Sequence, residues 1–279
     1  MSLKAVEKPL RIGVAGAAGR MGRMIVAEVV RAQDAVLSGV TVAENDPNRG
    51  LDVGDVAGIG RQNLILRHNP VEMFEESDVV IDFTTPTASL EHCLLAHRYN
   101  TALVIGTTGF SDKQREMLAN HARAVPIIGA PNMSLGINIL VALTEHVARL
   151  LGEEYDIEVF EMHHRMKVDA PSGTALALGR AAADGRSVDF ESAMVAARNG
   201  LTGARKSGSI GFSVARGGDV VGDHTVMFCA EGERIELTHK ASSRAIYARG
   251  AIRAARWLHG RAPGLYTMRD ILGLNVAPL

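Results

Sequence analysis

Aromatic side chains are scarce in this chain: seven Phe, four Tyr and one Trp make up 4% of 279 residues. A core without many large rings must be built from Ala, Val, Ile, Leu and Met, which favours layers of aliphatic strands and helices. Cysteine is scarcer still, with Cys93 and Cys229 alone. One pairing of the two stays open, but a disulfide framework is excluded, so residence in a reducing cytoplasm is expected. Net charge is nearly absent, at a formal −1. No global field then draws the chain to nucleic acid or an anionic membrane, and recognition of an anion must be local. No apolar run approaches the roughly 20 residues needed to span a bilayer. The first ten residues read as lacking a secretory signal, with no long apolar centre and no small-residue cleavage pattern. Internal repeats and low-complexity linkers are missing too. The expectation is a protein with neither a nucleic-acid nor a membrane partner.

What remains is ordinary globular composition, 47% hydrophobic and 22% charged. The length allows one large or two moderate domains, at roughly 100–200 residues each. Short aliphatic runs over Leu10–Ala15, Val36–Val42, Asp78–Phe83, Ala102–Ile105 and Pro126–Ala130 read as buried strands. Helical spacing over Met21–Ala32, Ala88–Tyr99 and Ser111–Ala122 falls between them, with Ser111 as a cap. Asn45–Gly60 reads as loop. This alternation predicts an α/β fold with a doubly wound parallel sheet of Rossmann type. After Asn132 the pattern changes. Gly136–Leu151 is a long apolar helix, and Tyr155–Arg165 alternates like a half-buried strand. Val195–Thr238 holds several strand-like runs broken by glycine turns, and Ala245–His259 is helical again. A second α+β domain with a mixed sheet is therefore expected. The domain limits predicted are 1–134, completed by 245–279, for a dinucleotide-binding domain, and 135–244 for a substrate-binding and oligomerisation domain.

The sharpest local signal joins the first strand to the first helix: Gly13-Val14-Ala15-Gly16-Ala17-Ala18-Gly19-Arg20-Met21-Gly22. Glycines let backbone amides approach a pyrophosphate, and a helix N-terminus adds unpaired amides with positive partial charge. The spacing is Gly-x-x-Gly-x-x-Gly, with Ala18 where the commoner fingerprint has glycine. Such a turn would also serve merely to pack a helix on a sheet. Glu44 follows the second strand, where an acidic residue bonds the adenosine ribose of NAD. Phe83-Thr84-Thr85-Pro86 and Gly106-Thr107-Thr108-Gly109 end two further strands in polar turns, in register with the first. A dinucleotide site is the reading that uses all of them.

The second signal is Glu161-Met162-His163-His164-Arg165-Met166-Lys167-Val168-Asp169-Ala170-Pro171-Ser172-Gly173-Thr174-Ala175. If the strand extends through it, His163 and Arg165 face one way and His164 the other. The helix that follows is capped by Asp169 or Ser172, and Gly173 and Thr174 present amides that suit a carboxylate. His164, Arg165 and Lys167 surround that cradle, and a close His and Lys can supply a proton near neutral pH. A solvated basic turn is the plainer alternative. Metal binding by the paired histidines lacks a third ligand at familiar spacing, so no metal is expected.

Together the segments VAGAAGRMGR, IDFTTP, VIGTTGF, EMHHRMKVDAPSGTALALG, GSIGFSVARGGDVVGDHTV and GERIELTHKASSR resemble the 4-hydroxy-tetrahydrodipicolinate (dihydrodipicolinate) reductase family, in order along the chain. The resemblance implies NADH- or NADPH-dependent reduction of a small cyclic dicarboxylate with loss of water, usually in a homotetramer. It implies catalytic roles for His163 and Lys167, and substrate contacts for His164, Gly173 and Thr174. It implies cofactor contacts from Gly16, Ala17, Ala18, Gly19, Arg20, Met21, Glu44, Gly106, Thr107, Thr108, Ala130, Pro131, Asn132 and Met133. Three positions depart from several relatives: Met166 replaces a histidine, Thr85 an arginine, and Asn45 an arginine suited to the 2′-phosphate of NADPH. Glu44 would repel that phosphate, so NADH is the expected preference, with dual use open. Another two-domain Rossmann reductase of amino-acid metabolism, a non-catalytic nucleotide sensor and a metal-dependent hydrolase are the alternatives.

Overall fold

The computed structural model describes residues 8–274. Residues 1–7 and 275–279, which the expected domain limits include, lie outside the described residues. The chain opens with β1 (Leu10–Ala15), α1 (Arg20–Arg31), β2 (Ala35–Thr41), α2 (Val53–Ala57), α3 (Val71–Glu76), β3 (Val79–Asp82), α4 (Pro86–Tyr99), β4 (Ala102–Ile105), α5 (Asp112–His121) and β5 (Pro126–Gly129). It continues with α6 (Leu135–Leu151), β6 (Asp156–His163), α7 (Gly173–Arg186), α8 (Phe190–Ala193), β7 (Met194–Val195), β8 (Ile210–Arg216), β9 (Gly222–Ala230) and β10 (Glu233–Ala241). It closes with α9 (Ala245–Leu258), β11 (Gly264–Tyr266) and α10 (Met268–Leu272). Two units result: residues 8–133 with 245–273, and residues 134–244.

The first unit is a six-stranded parallel sheet in the order β11-β5-β4-β3-β1-β2. Every residue of β3 and β4 is buried, which is why these strands read as continuous apolar runs. Strand order reverses between β1 and β3, the switch point at which open α/β sheets bind ligands. The loops that leave those strands touch there, since Phe83 N–H donates to the Ala15 carbonyl at 3.5 Å. The C-terminal helix α9 packs on α1, β3 and β4, and Arg249 and Arg256 pair with Glu28 and Asp34.

The second unit is a mixed sheet in the order β10-β9-β6-β8-β7. β6 runs antiparallel to β9 and parallel to β8. Ile157, Val159, Phe212, Val226 and Phe228 of this sheet form a core with Leu140 of α6 and Leu178 of α7. Burial along β6 alternates strictly, so period two places Ile157, Val159, Glu161 and His163 on the core face.

Two sequence expectations need correction, and two short helices fall outside the sequence reading. Residues 45–60 are not all loop, because Asp52 accepts from the amides of Gly54, Gln62 and Leu64 and so starts α2. The short helices α3 and α8 span too few residues to show a helical period. The strand expected through Arg165 stops at His163, where the chain turns and the Lys167 amide bonds the His164 carbonyl at 3.1 Å. The opposed placement of His163 and His164 on one extended strand therefore does not hold. Arg198 and Arg205, within the glycine- and arginine-rich residues 198–223, reach β6: Arg205 meets Asp156 at 2.7 Å and Glu158 at 3.0 Å, and Arg198 meets Glu158.

Gly22 lets α1 sit against the turn that follows β1. A Cβ there would lie 2.1 Å from the Gly16 carbonyl oxygen and 2.7 Å from Ala17 Cα, with backbone on both sides. Gly22→Ala is expected to destabilise the chain by about 1–3 kcal/mol, as overpacking against unyielding atoms does. Thermal denaturation checks this, and an unchanged midpoint refutes the close approach.

Candidate active site

In the first unit, the turn after β1 is built from backbone. Gly16 adopts φ +74°, and a Cβ on it would lie 2.9 Å from the Phe83 carbonyl oxygen. The Ala17 amide donates to the Thr41 carbonyl at 2.8 Å, tying the turn to the end of β2, and the Gly19 amide closes the turn on the Gly16 carbonyl. Ala17 and Ala18 are buried, so only their backbone can meet a ligand. α1 begins at Arg20 with no side-chain cap and no acidic residue in its first turn. Its leading amides and positive end suit a pyrophosphate. A Cβ on Gly106 would lie 2.1 Å from the Phe83 ring, so glycine is what lets the loop after β4 close on the loop after β3. These features fit a dinucleotide.

Beneath both loops lies a buried carboxylate, Asp82 at the end of β3. It accepts from the hydroxyls of Thr84 at 2.6 Å and Thr107 at 3.4 Å, and pairs with His92 Nδ1 at 2.8 Å. Thr107 Oγ1 also accepts from the Thr84 amide and the Ser89 hydroxyl. Its hydroxyl is thus committed to holding the loops, while Thr108 is exposed. Glu44 stands exposed in the turn after β2, with Arg49 bonding its carbonyl at 3.2 Å. Ala130 and Met133 are buried, while Pro131 is exposed between them.

In the second unit, the buried carboxylate is Glu161, which is fully enclosed. His163 Nδ1 lies 2.5 Å from Oε2, the Ser172 amide donates to Oε1 at 3.0 Å, and Arg216 donates to both oxygens at 2.8 and 3.0 Å. Ser172, not Asp169, caps α7, accepting from the Ala175 amide at 3.1 Å. Its hydroxyl also bonds His224 Nε2 at 3.2 Å, and the His224 ring meets His163 edge-on at 5.0 Å. Lys167 Nζ is held by both oxygens of Asp169, at 2.8 and 3.0 Å. Gly173 is exposed at the first helical position, with Thr174 half-buried after it and His164 half-buried in the turn.

The charges follow from these contacts. Burial pushes the Glu161 carboxyl up, but the hydrogen bonds from Arg216, His163 and the Ser172 amide outweigh it and hold the group below its usual value. Glu161 is therefore an ionised acceptor, and His163 must carry its proton on Nδ1, leaving Nε2 as the ring's working atom. Burial lowers His163, Glu161 pushes back, and the Lys167 and Arg216 cations lower it further, with a net lowering. Burial, reinforced by His163, pushes His224 down to about 4. Asp169 is lowered by its bond from Lys167. The site thus presents a neutral, oriented imidazole, an ammonium group and a helix start, suited to a carboxylate-bearing substrate that exchanges a proton.

Of the residues singled out in the sequence, the second unit brings together His163, His164, Lys167, Gly173 and Thr174, and the first unit gathers Gly16–Met21, Gly106–Thr108 and Glu44 around the ends of β1, β4 and β2. Glu161 lay inside the quoted motif without a role, although its place two residues before His163 on a strand marks it as sharing that face. Arg216 and His224 arrive from β8 and β9, and nothing local in the sequence links them to His163.

His224 predicts an acid response. Its folded-state pKa of about 4 lies below the ordinary 6.5, so the unfolded chain binds more protons between those values. The corresponding stability is full above about pH 6.5 and is lost as pH falls towards 4. His163 and His239 are lowered as well and act in the same direction. Urea denaturation is expected to show falling stability from about pH 7 to about pH 4.5, with a shallower slope in His224→Leu. An identical slope in the variant would remove His224 from this role.

Comparison with known proteins shows the family. Residues 10–133 match the family described as Dihydrodipicolinate reductase, N-terminus, and residues 136–272 match Dihydrodipicolinate reductase, C-terminus. The 4-hydroxy-tetrahydrodipicolinate reductase of Hahella chejuensis is 48% identical over 265 residues, covering 95% of this chain and 99% of the relative. That of Pseudomonas fluorescens is 49% identical over 268 residues, with 95% and 99% covered. A dipicolinate-bound dihydrodipicolinate reductase from Paenisporosarcina sp. TG-14 shares the fold, with a TM-score of 0.74 at 22% identity, covering 94% of this chain and 98% of that one. An α/β chain that matches both halves of one reductase family, and its relatives almost end to end, belongs to the dihydrodipicolinate reductase family.

Proposed function

We propose that this chain reduces (2S,4S)-4-hydroxy-2,3,4,5-tetrahydrodipicolinate to tetrahydrodipicolinate, with a nicotinamide cofactor and loss of water, in the diaminopimelate route to lysine. The observation that carries this reading is 48% identity with a reductase of that name over almost the whole of both chains. In balance, one hydride and one proton enter and one water leaves. A bound nicotinamide supplies the hydride.

The chain's own residues supply the rest. Gly16, Ala17, Ala18 and Gly19 shape the turn that lines the pyrophosphate, the leading amides of α1 at Arg20 and Met21 bond it, and Glu44 bonds the adenosine ribose. Gly106, Thr107 and Thr108, with Ala130, Pro131, Asn132 and Met133, complete the cofactor contacts. Gly173 and Thr174 at the start of α7 bind a substrate carboxylate, with His164 beside them. The dipicolinate carried by a reductase of the same fold is a dicarboxylate of that kind. Lys167 donates the proton from Nζ, which Asp169 holds in place. His163 offers Nε2 to the substrate, because its other nitrogen is given to Glu161.

NADH is the preferred reductant in this proposal, since the Glu44 carboxylate opposes a 2′-phosphate. Arg49, bonded to the Glu44 carbonyl, offers a cation that keeps NADPH usable. We also propose a homotetramer in the cytoplasm. Phe160, Met162 and Met227 lie half-buried on the sheet face opposite the core formed with α6 and α7, a strip that self-association would cover. Both cysteines are free thiols, as a reducing compartment allows.

Coupled turnover with the preceding synthase reaction, followed by nicotinamide absorbance, tests the reading. Lys167→Ala is expected to lose at least about 100-fold in kcat while NADH still binds, the loss typical of a removed proton donor. Unchanged turnover in that variant ends the role given to Lys167. A kcat/KM clearly higher with NADPH than with NADH overturns the cofactor preference.

A further inference from the structure

We propose that Arg216 is a positioning residue that holds both proton-handling groups of the second unit, His163 and Lys167, in register; this rests on the roles given to those two residues above. Arg216 is the last residue of β8. β8 runs parallel to β6 and pairs Arg216 with His163. The guanidinium grips Glu161 with two arms, Nη1 to Oε2 at 2.8 Å and Nη2 to Oε1 at 3.0 Å. Nη1 also donates to the Ala215 carbonyl at 2.7 Å, and Nη2 to the Asp169 carbonyl at 2.6 Å.

Those partners lead in two directions. Glu161 is the carboxylate that holds His163 Nδ1 at 2.5 Å, so fixing Glu161 fixes the imidazole. Asp169 is the residue whose carboxylate holds Lys167 Nζ, so tying its backbone to β8 anchors the lysine. In the segment between His163 and Ser172 the large apolar side chains Met166 and Val168 are exposed, 77% and 98%, so neither anchors it by packing. A planar fork with fixed arms can hold a carboxylate edge and a carbonyl together, whereas a lysine ammonium presents one point charge. The arm to Asp169 is not needed to neutralise Glu161. A purely structural ion pair would not require it.

The test uses the full chain with Arg216→Met and Arg216→Lys. Arg216→Met is expected to lower kcat about 100-fold, the cost of reacting groups displaced by roughly an ångström. NADH affinity and the KM for substrate should stay within about threefold, since binding common to ground and transition states is untouched. Arg216→Lys keeps the charge without the fork and should lose at least about tenfold in kcat. Combined with His163→Ala, and separately with Lys167→Ala, Arg216→Met should cost at least about tenfold less than the product of the single losses, because each pair acts as one unit. Fully multiplicative losses, or a wild-type kcat in either Arg216 variant, overturn the proposal. Should Arg216→Met fail to fold, Arg216→Lys decides on the same criteria. If His163→Ala and Lys167→Ala themselves turn over normally, the assignment of the proton-handling groups fails. A wild-type kcat on altering Arg216, beside inactive His163 and Lys167 variants, sinks the Arg216 proposal alone.

Discussion

A carboxylate with no access to water sits at the end of β6, and the second unit's chemistry is arranged around keeping it charged. Burying an ion costs several kcal/mol unless its lone pairs are filled. Glu161 has both oxygens filled, by the Arg216 fork, the His163 ring and the Ser172 amide. Each donor is thereby fixed as well. The carboxylate chooses the His163 tautomer, sets where α7 begins through Ser172, and ties β8 to the turn that carries Lys167. Removing Arg216 would leave the charge uncompensated, and removing either neutral donor would leave a lone pair of a buried ion unfilled, so the cluster holds its geometry as a unit.

The first unit repeats the device with different parts. Asp82 is also fully buried at the end of a central strand and also holds an imidazole, that of His92. Its other bonds go to Thr84 and Thr107, in the loops after β3 and β4. In each unit a buried acid below the strand ends fixes the polar groups above it. Loops at the carboxyl edge of a sheet would otherwise be its loosest part. Preorganised dipoles and donors are what a site must have before a reaction can use them.

The sequence was most readable where the physics is local. β4 and the body of α5 came out almost residue for residue, because continuous aliphatic runs and the Ser111–Gln114 capping box act within a few positions. Legibility failed for elements too short to show a period, such as α3 and α8, and where Asp52 started α2 by bonding amides up to twelve residues away. Within the candidate site, His163, Lys167, Gly173 and Thr174 lie within a dozen residues of one another and were visible together. Arg216 and His224 lie more than fifty residues beyond His163 and became partners only through strand pairing.

The amino-acid order alone settled the alternation of strands and helices, the glycine turn at the first strand end, and the cluster of imidazole, ammonium and helix start after β6. These depend on neighbours in sequence, through steric limits on φ and ψ, period and capping. Tertiary structure decided which charges meet. Sheet register set His224 against Glu161 and Arg216 against His163. Burial and the hydrogen bonds that oppose it then set the charge states of Glu161, His163 and His224, because electrostatic energies depend on distance and on exclusion of water, neither of which is written in the order of residues.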